Sequence, residues 1–147
     1  MKCVEKTLYE MLLTKPEDVI QTPVGFLGFE SLRQFKLLAK PDEAPFLWLE
    51  SVADSNQAFL VMPPSLLYPT YQPEIGPDDA KCLGLKSNED AMVVNIVTLR
   101  PEGRATVNLK GPIVINRKTL VAKQVVPVNA LHYNLQHPLP VVHEENE

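Results

Sequence analysis

Fourteen β-branched residues crowd into the 36 positions 91–126: eight Val, three Ile and three Thr. Such side chains are stiff at χ1 and suit a pleated surface better than a helix. Residues 104–110 alternate. Ala105, Val107 and Leu109 fall on one face, and Arg104, Thr106, Asn108 and Lys110 on the other. A period of two predicts a half-buried strand. The preceding run, 91–99, is almost continuously apolar and reads as a central strand covered on both faces. Between them Arg100-Pro101-Glu102-Gly103 suits a type I turn, with Pro second and Gly fourth. Lys110-Gly111-Pro112 breaks the next junction, and 113–116 and 120–126 read as two further strands. Four strands with short joints predict an antiparallel meander.

The first half repeats the pattern more weakly. Short apolar runs at 35–39, 46–52 and 58–62 read as strands, the last two joined by Asp54-Ser55-Asn56 turn chemistry around a hairpin that carries the only Trp, Trp48. Proline accounts for 14 of 147 residues, and interior Pro costs a helix about 3 kcal/mol. One helix is still predicted. Pro77 sits at its first position, Asp78 and Asp79 lie near its positive end, Gly84 stops it, and Ala80 and Leu83 are buried. Residues 7–13 suit a strand or a helix. Residues 63–73, with four prolines plus Tyr68 and Tyr71, read as an ordered surface loop. The fold class expected is therefore mainly β: a small antiparallel β-barrel or highly curved sheet with one or two short helices. Residues 1–130 form a single β domain in this reading, and 131–147 a peripheral, Pro-containing acidic tail.

The formal charge of −4 argues against a nucleic-acid-coating protein and leaves room for a basic protein partner. No apolar stretch approaches the roughly 20 residues of a membrane helix. Residues 1–10 carry charges of both signs and no apolar core, unlike a secretory signal, so a cytoplasmic protein is expected. Cys3 and Cys82 share no motif and read as a reduced, partly buried pair. His132, His137 and His143 do not have a metal-ligand spacing, and no nucleophile elbow or other catalytic motif is present, so no metal, cofactor or catalytic residue is assigned. Gly25-Phe26-Leu27-Gly28 has the spacing of an RNA-clamping loop but bulky apolar residues inside it and no adjacent Lys or Arg. It reads instead as a tight turn anchored in the core by Phe26 and Phe29. Ser51 and Asp54 suit turn hydrogen bonding. Asn108 and Asn116 fall on strand segments, where Asn is disfavoured, and suit either strand-end turns or polar contacts to a partner.

Several of these pieces, in order, resemble one family. Thr22-Pro23-Val24-Gly25-Phe26-Leu27-Gly28-Phe29-Glu30 is similar to the F-P-x-G-[IL]-P-G-F-E of the bacterial flagellar assembly factor FliW. The resemblance continues through Pro45-Phe46-Leu47-Trp48-Leu49-Glu50-Ser51, Asp54, Ala58-Phe59 and Tyr71. It then runs through 106–116, close to the family's T-V-N-L-x-[AG]-P-I-V-I-N, and ends at Gln124-Val125. Leu27 stands where the family usually has Pro, Thr22 where it has Phe and Glu50 where Gln is common. Ala122-Lys123 lacks the Gly often found before Gln124.

The resemblance implies a cytoplasmic binding protein and not an enzyme. Its partners would be flagellin, bound before export, and the translational repressor CsrA, whose hold on flagellin mRNA it relieves. It implies no direct nucleic-acid or membrane contact and a monomer when free. The residues expected to touch partners are Phe29, Glu30, Ser51, Asp54, Tyr71, Asn108, Asn116 and Gln124. Two rival readings remain at this stage. One is an enzyme on a small β-barrel, which needs a concave site with convergent polar groups. The other is an RNA-binding module, which salt-sensitive RNA affinity in the absence of CsrA would reveal.

Overall fold

The computed structural model describes residues 18–43, 45–64 and 70–139. The readings of 7–13, Cys3, Tyr68, His143 and the acidic end lie outside them. Among the described residues, nine strands and one α-helix follow in the order β1 (Ile20–Gln21), β2 (Gln34–Ala39), β3 (Leu47–Ser51), β4 (Ala58–Met62), α1 (Pro77–Leu83), β5 (Ala91–Leu99), β6 (Ala105–Val107), β7 (Ile113–Asn116), β8 (Ala122–Gln124) and β9 (His137–Pro138). Every ladder is antiparallel, with the path β1-β2-β3-β4-β5-β6-β9 and a branch from β5 through β7 to β8.

The long apolar strand organises the sheet. Residues 91–94 of β5 pair with β7, 95–96 with β4 and 97–99 with β6. The run 105–116 lies antiparallel along 91–99 but holds more residues than that strand can pair, and the surplus becomes the loop 108–112. The break read at Lys110-Gly111-Pro112 falls in this loop, which starts earlier, at Asn108, so the strand read over 104–110 is only 105–107. Because β6 and β7 both pair with β5, the expected meander does not form. Strand β7 is buried on both faces, as its unbroken apolar run requires. Ile113 and Ile115 join Phe26, Phe35, Leu37, Leu49 and Val94 in the main core, while Val114 faces the other way into a cluster with Leu83 of α1 and Val125. A third cluster, of Met62, Tyr71, Val97, Val107, Leu109 and Leu139, fills the β5–β6 end.

Helix α1 spans the residues read for it: Pro77 opens it, Asp78 and Asp79 occupy the first turn, and Gly84 ends it at φ 67°. Of the two side chains expected inside, only Leu83 is buried, and Ala80 is half-buried. Other expectations are corrected. Of the two forms expected, the highly curved sheet is the one observed: the sheet is curled and is not a closed barrel. Strand β1 is two residues long and meets the residue just before β8 through one isolated parallel bridge, Gln21–Val121, with no ladder beyond it. The 101–103 turn is not type I, because Glu102 is left-handed at φ 65°. The last strand is shorter than 120–126. Leu120 is left-handed at φ 63° and closes a turn that delays β8 to residue 122. Tyr71 is buried rather than on a surface loop, and Cys82 is exposed rather than partly buried. Within 131–147, the described part is attached to the sheet. Strand β9 pairs with β6, and Leu139 is buried against it. The mechanism is ordinary strand addition: the Leu139 N–H donates to the Ala105 carbonyl at 2.9 Å.

Candidate protein-binding surface

The stretch 22–30 folds as two consecutive tight turns. Gly25 and Gly28 have φ of 69° and 85°, a conformation glycine adopts without strain. At Gly25 a side chain is also excluded by space, since a Cβ there would lie 2.5 Å from the Glu30 Cα. Phe26 is fully buried, tilted against Phe35 at 5.0 Å and edge-on to Phe59 at 5.7 Å. With Phe26 turned in, Leu27 turns out and is 86% exposed. Phe29 is not the second core anchor that the sequence suggested. It lies on the surface, 41% exposed, with its ring edge-on to Phe59 at 5.1 Å. Val24 is exposed beside them.

This apolar tip is held by polar groups at almost every step. The Gly25 N–H donates to the Thr22 carbonyl and the Phe29 N–H to the Phe26 carbonyl. Glu30 is exposed, and its carboxylate accepts the Gly28 N–H at 3.1 Å. Arg33 donates to the Glu30 and Pro23 carbonyls at 2.6 and 2.8 Å. Gln124 reaches across from β8: its Oε1 accepts the Leu27 N–H at 3.3 Å, and its Nε2 donates to the Gly111 carbonyl at 3.1 Å.

Through Gly111 the turn meets a second polar system. Asn108 Oδ1 accepts the N–H groups of Lys110 and Gly111, both at 2.9 Å, and so closes the loop 108–112. Its carbonyl accepts Asn95 Nδ2 at 2.7 Å, and the same Nδ2 reaches the Tyr71 hydroxyl at 3.2 Å. The Tyr71 hydroxyl donates to the Leu109 carbonyl at 2.8 Å. Burial pushes the Tyr71 hydroxyl up to about 12, with Asn95's hydrogen bond opposing and Tyr133 adding slightly. The Tyr71 ring meets Tyr133 edge-on at 4.7 Å.

The remaining candidates lie elsewhere. Ser51 is buried at the end of β3 and its hydroxyl accepts the Asp54 N–H at 3.4 Å, while Asp54 Oδ1 accepts the Asn56 N–H at 3.0 Å. Asn116 is buried. Its Nδ2 donates to the Leu83 carbonyl at 2.8 Å, and its Oδ1 accepts the N–H groups of Lys118 and Thr119. Phe29, Glu30, Gln124 and Asn108 are thus brought into one neighbourhood, with Tyr71 joined to it from inside. Ser51 and Asp54 form their own turn, and Asn116 stands apart beside α1.

Sequence reasoning passed over Leu27, Val24, Asn95 and Asp90. Leu27 carried a usable signal: a bulky apolar residue between two turn glycines cannot point inward if its neighbour Phe26 does. Among the described residues no group of His, Cys, Asp or Glu is arranged to hold a metal ion, and no helix is long and apolar enough to cross a membrane.

Comparison with known proteins gives a consistent result. The family model described as FliW protein matches residues 3–139. The flagellar assembly factor FliW of Bacillus subtilis (strain 168) is 34% identical over 126 residues, 85% of this chain and 87% of that one. That of Syntrophus aciditrophicus (strain SB) is 38% identical over 124 residues, 84% and 78% of the two chains. A solved structure, described as the crystal structure of the flagellar assembly factor FliW, has a TM-score of 0.74 and 28% identity, covering 91% of this chain and 92% of that one.

Proposed function

The chain belongs to the FliW family of flagellar assembly factors, and from that premise we propose that it is a cytoplasmic, non-enzymatic protein that binds flagellin before export and antagonises the translational repressor CsrA. The observation that carries this reading is the 22–30 turn. Leu27, Phe29 and Val24 are held in solvent on a backbone tied by Gln124, Glu30 and Arg33. A binding surface ordered in advance loses less entropy when its partner arrives, and exposed apolar side chains on a rigid turn are what such a surface needs. The polar candidates support the same reading from the other side. Ser51, Asn108 and Asn116 are engaged with backbone groups rather than converging on a reacting atom.

In this circuit flagellin and CsrA draw on one pool of the protein. Export of flagellin frees it, CsrA is captured, and flagellin synthesis resumes. The net charge of −4 favours a basic RNA-binding partner and repels the RNA that partner would carry. A second role, as a flagellin export chaperone without translational control, rests on the same turn.

Titration calorimetry against CsrA from the same organism, repeated with flagellin already bound, decides between them. The expected result is CsrA binding that flagellin abolishes and that weakens as salt is raised. Flagellin binding without CsrA binding reduces the role to export; binding to neither partner removes the reading.

A further inference from the structure

Strand β5 ends in an apolar residue set in solvent. Leu99 is 70% exposed. It shares a face with Val97, two residues back, and with its register partner Ala105. Both of these pack in the cluster that holds Leu139. Two cations flank Leu99. The Arg100 N–H donates to the Arg104 carbonyl at 2.8 Å, which closes the β5–β6 hairpin. Arg100 Nε donates to the Thr106 hydroxyl at 3.3 Å. Arg104 meets Glu102 at 3.9 Å, with both side chains largely exposed, and such a pair contributes little.

Strand β9 delivers the chain to this spot. The Leu139 N–H donates to the Ala105 carbonyl, and Ala105 is in turn the register partner of Leu99. The ladder has no continuation there, because the chain before Ala105 turns through 101–103, where Glu102 is left-handed. Residues 140–147 follow Leu139 and lie outside the described residues. Leu99 is two strand spacings from Leu139, about 10 Å, and eight residues can reach about 26 Å. The order of side chains in this segment matches the surface beside it. Val141 and Val142 come first, and the carboxylates of Glu144, Glu145 and Glu147 follow.

We propose that residues 141–145 dock across the end of the β5–β6 hairpin, with the Val141-Val142 pair on Leu99 and Glu144 and Glu145 on Arg100 and Arg104. The contact is made within one chain and stands apart from the partner-binding role given above. The valines take Leu99 out of water. The two guanidiniums gain partners of opposite charge, and an Arg fork binds a carboxylate through parallel N–H donors. A segment tethered this close is present at an effective concentration of the order of millimolar, so contacts too weak to hold a separate peptide still fill the site. The charged half of the contact lies at the surface and weakens as salt is raised.

The test uses the full chain with labelled methyl groups. Nuclear Overhauser contacts are expected at low salt between the Leu99 methyls and those of Val141 or Val142. The amides of 142–145 are expected to exchange about fivefold more slowly than in a free peptide of sequence 140–147. Leu99→Asp abolishes this protection, and so does the pair Arg100→Glu and Arg104→Glu. Adding Glu144→Arg and Glu145→Arg to that pair restores it, which a merely damaged hairpin would not allow. Thermal melts show which variants fold, and Val142→Asp, outside the sheet, repeats the test if a hairpin variant does not. Peptide-like exchange of 142–145 in the unaltered chain, with no contact between Leu99 and either valine, overturns the proposal. Protection that survives both Leu99→Asp and the charge reversal also overturns it, because the segment then rests on another surface.

Discussion

The turn at 25–28 and the loop at 108–112 meet at Gln124, and they use their side chains in opposite ways. The turn places apolar Leu27 and Phe29 in solvent and fixes them with polar contacts. The loop turns the polar side chain of Asn108 onto its own backbone and buries Leu109. Asn116 repeats the second pattern where β7 ends, satisfying the Leu83 carbonyl at the end of α1. Residue type alone therefore misleads about role. Asparagine in a strand looks like a recognition residue but stands in for a missing backbone partner. Phe29 reads as a core anchor but lies on the surface beside Leu27, the most exposed apolar residue of the turn.

The largest effect is expected where that scaffolding role is deepest. Asn116→Ala leaves the buried Leu83 carbonyl without its partner and two part-buried N–H groups, of Lys118 and Thr119, without theirs. The expected loss is about 2–3 kcal/mol, or a melting temperature lower by roughly 5–10 °C. Calorimetric melts measure it, and partner affinity below the transition stays within about twofold of the unaltered protein. A variant that melts normally but loses its partners would make Asn116 an interface residue and reverse the comparison.

Gly111→Ala tests the junction itself. The added Cβ would lie 3.0 Å from Gln124 Nε2 and 3.1 Å from Asn108 Nδ2. Gln124 cannot move aside without giving up its bond to Gly111 or to Leu27. A destabilisation of about 1–2 kcal/mol is expected in urea unfolding. Exchange of the Leu27 amide is expected to rise with it, since one side chain serves both.

These two cases show what a sequence carries and what it does not. Strand β5, the inward faces of Val107 and Leu109, the hairpin around Asp54 and the span of α1 were all legible. Each follows from a local period or a local cap. The openness of the sheet was not legible. It depends on how β1 meets β8, and the period of two is the same whether that seam is one bridge or a full ladder. Nor were the partners of Asn95, Asn108 and Tyr71, which lie far apart in the chain and find each other only when β5 and β6 pair. The left-handed Glu102 was missed because Pro then Glu suits a type I turn locally, while the register of Leu99 with Ala105 sets the actual path.

The turn's side of the comparison is tested by Leu27→Asp. At 86% exposure this side chain contributes little to the core, so stability should stay within about 0.5 kcal/mol. Flagellin or CsrA affinity, read by calorimetry, should fall about tenfold, equal to about 1.4 kcal/mol. Unchanged affinity for both partners would strip the turn of its binding role and leave its exposed apolar residues without an explanation.

The smallest effect sharpens the scaffold side, because one of its members carries a charge. Asp90 accepts the N–H groups of Lys86 and Ser87 and pairs with Lys118 at 3.2 Å, so it stitches the loop after α1 as Asn116 stitches its end. The Lys86 amide first, and then Lys118, hold its carboxyl below the ordinary value of 3.8, with burial opposing them. A carboxyl depressed in the folded state binds its proton more readily once unfolded. It contributes stability above about pH 4, and that contribution disappears as pH falls through the lowered folded value. Asp90→Asn keeps the shape and removes the titration. The two proteins should differ in stability at pH 6 and converge on acidification, in denaturant titrations run at each pH. A gap that stayed constant down to low pH would mean that Asp90 acts by shape alone, as the neutral asparagines do.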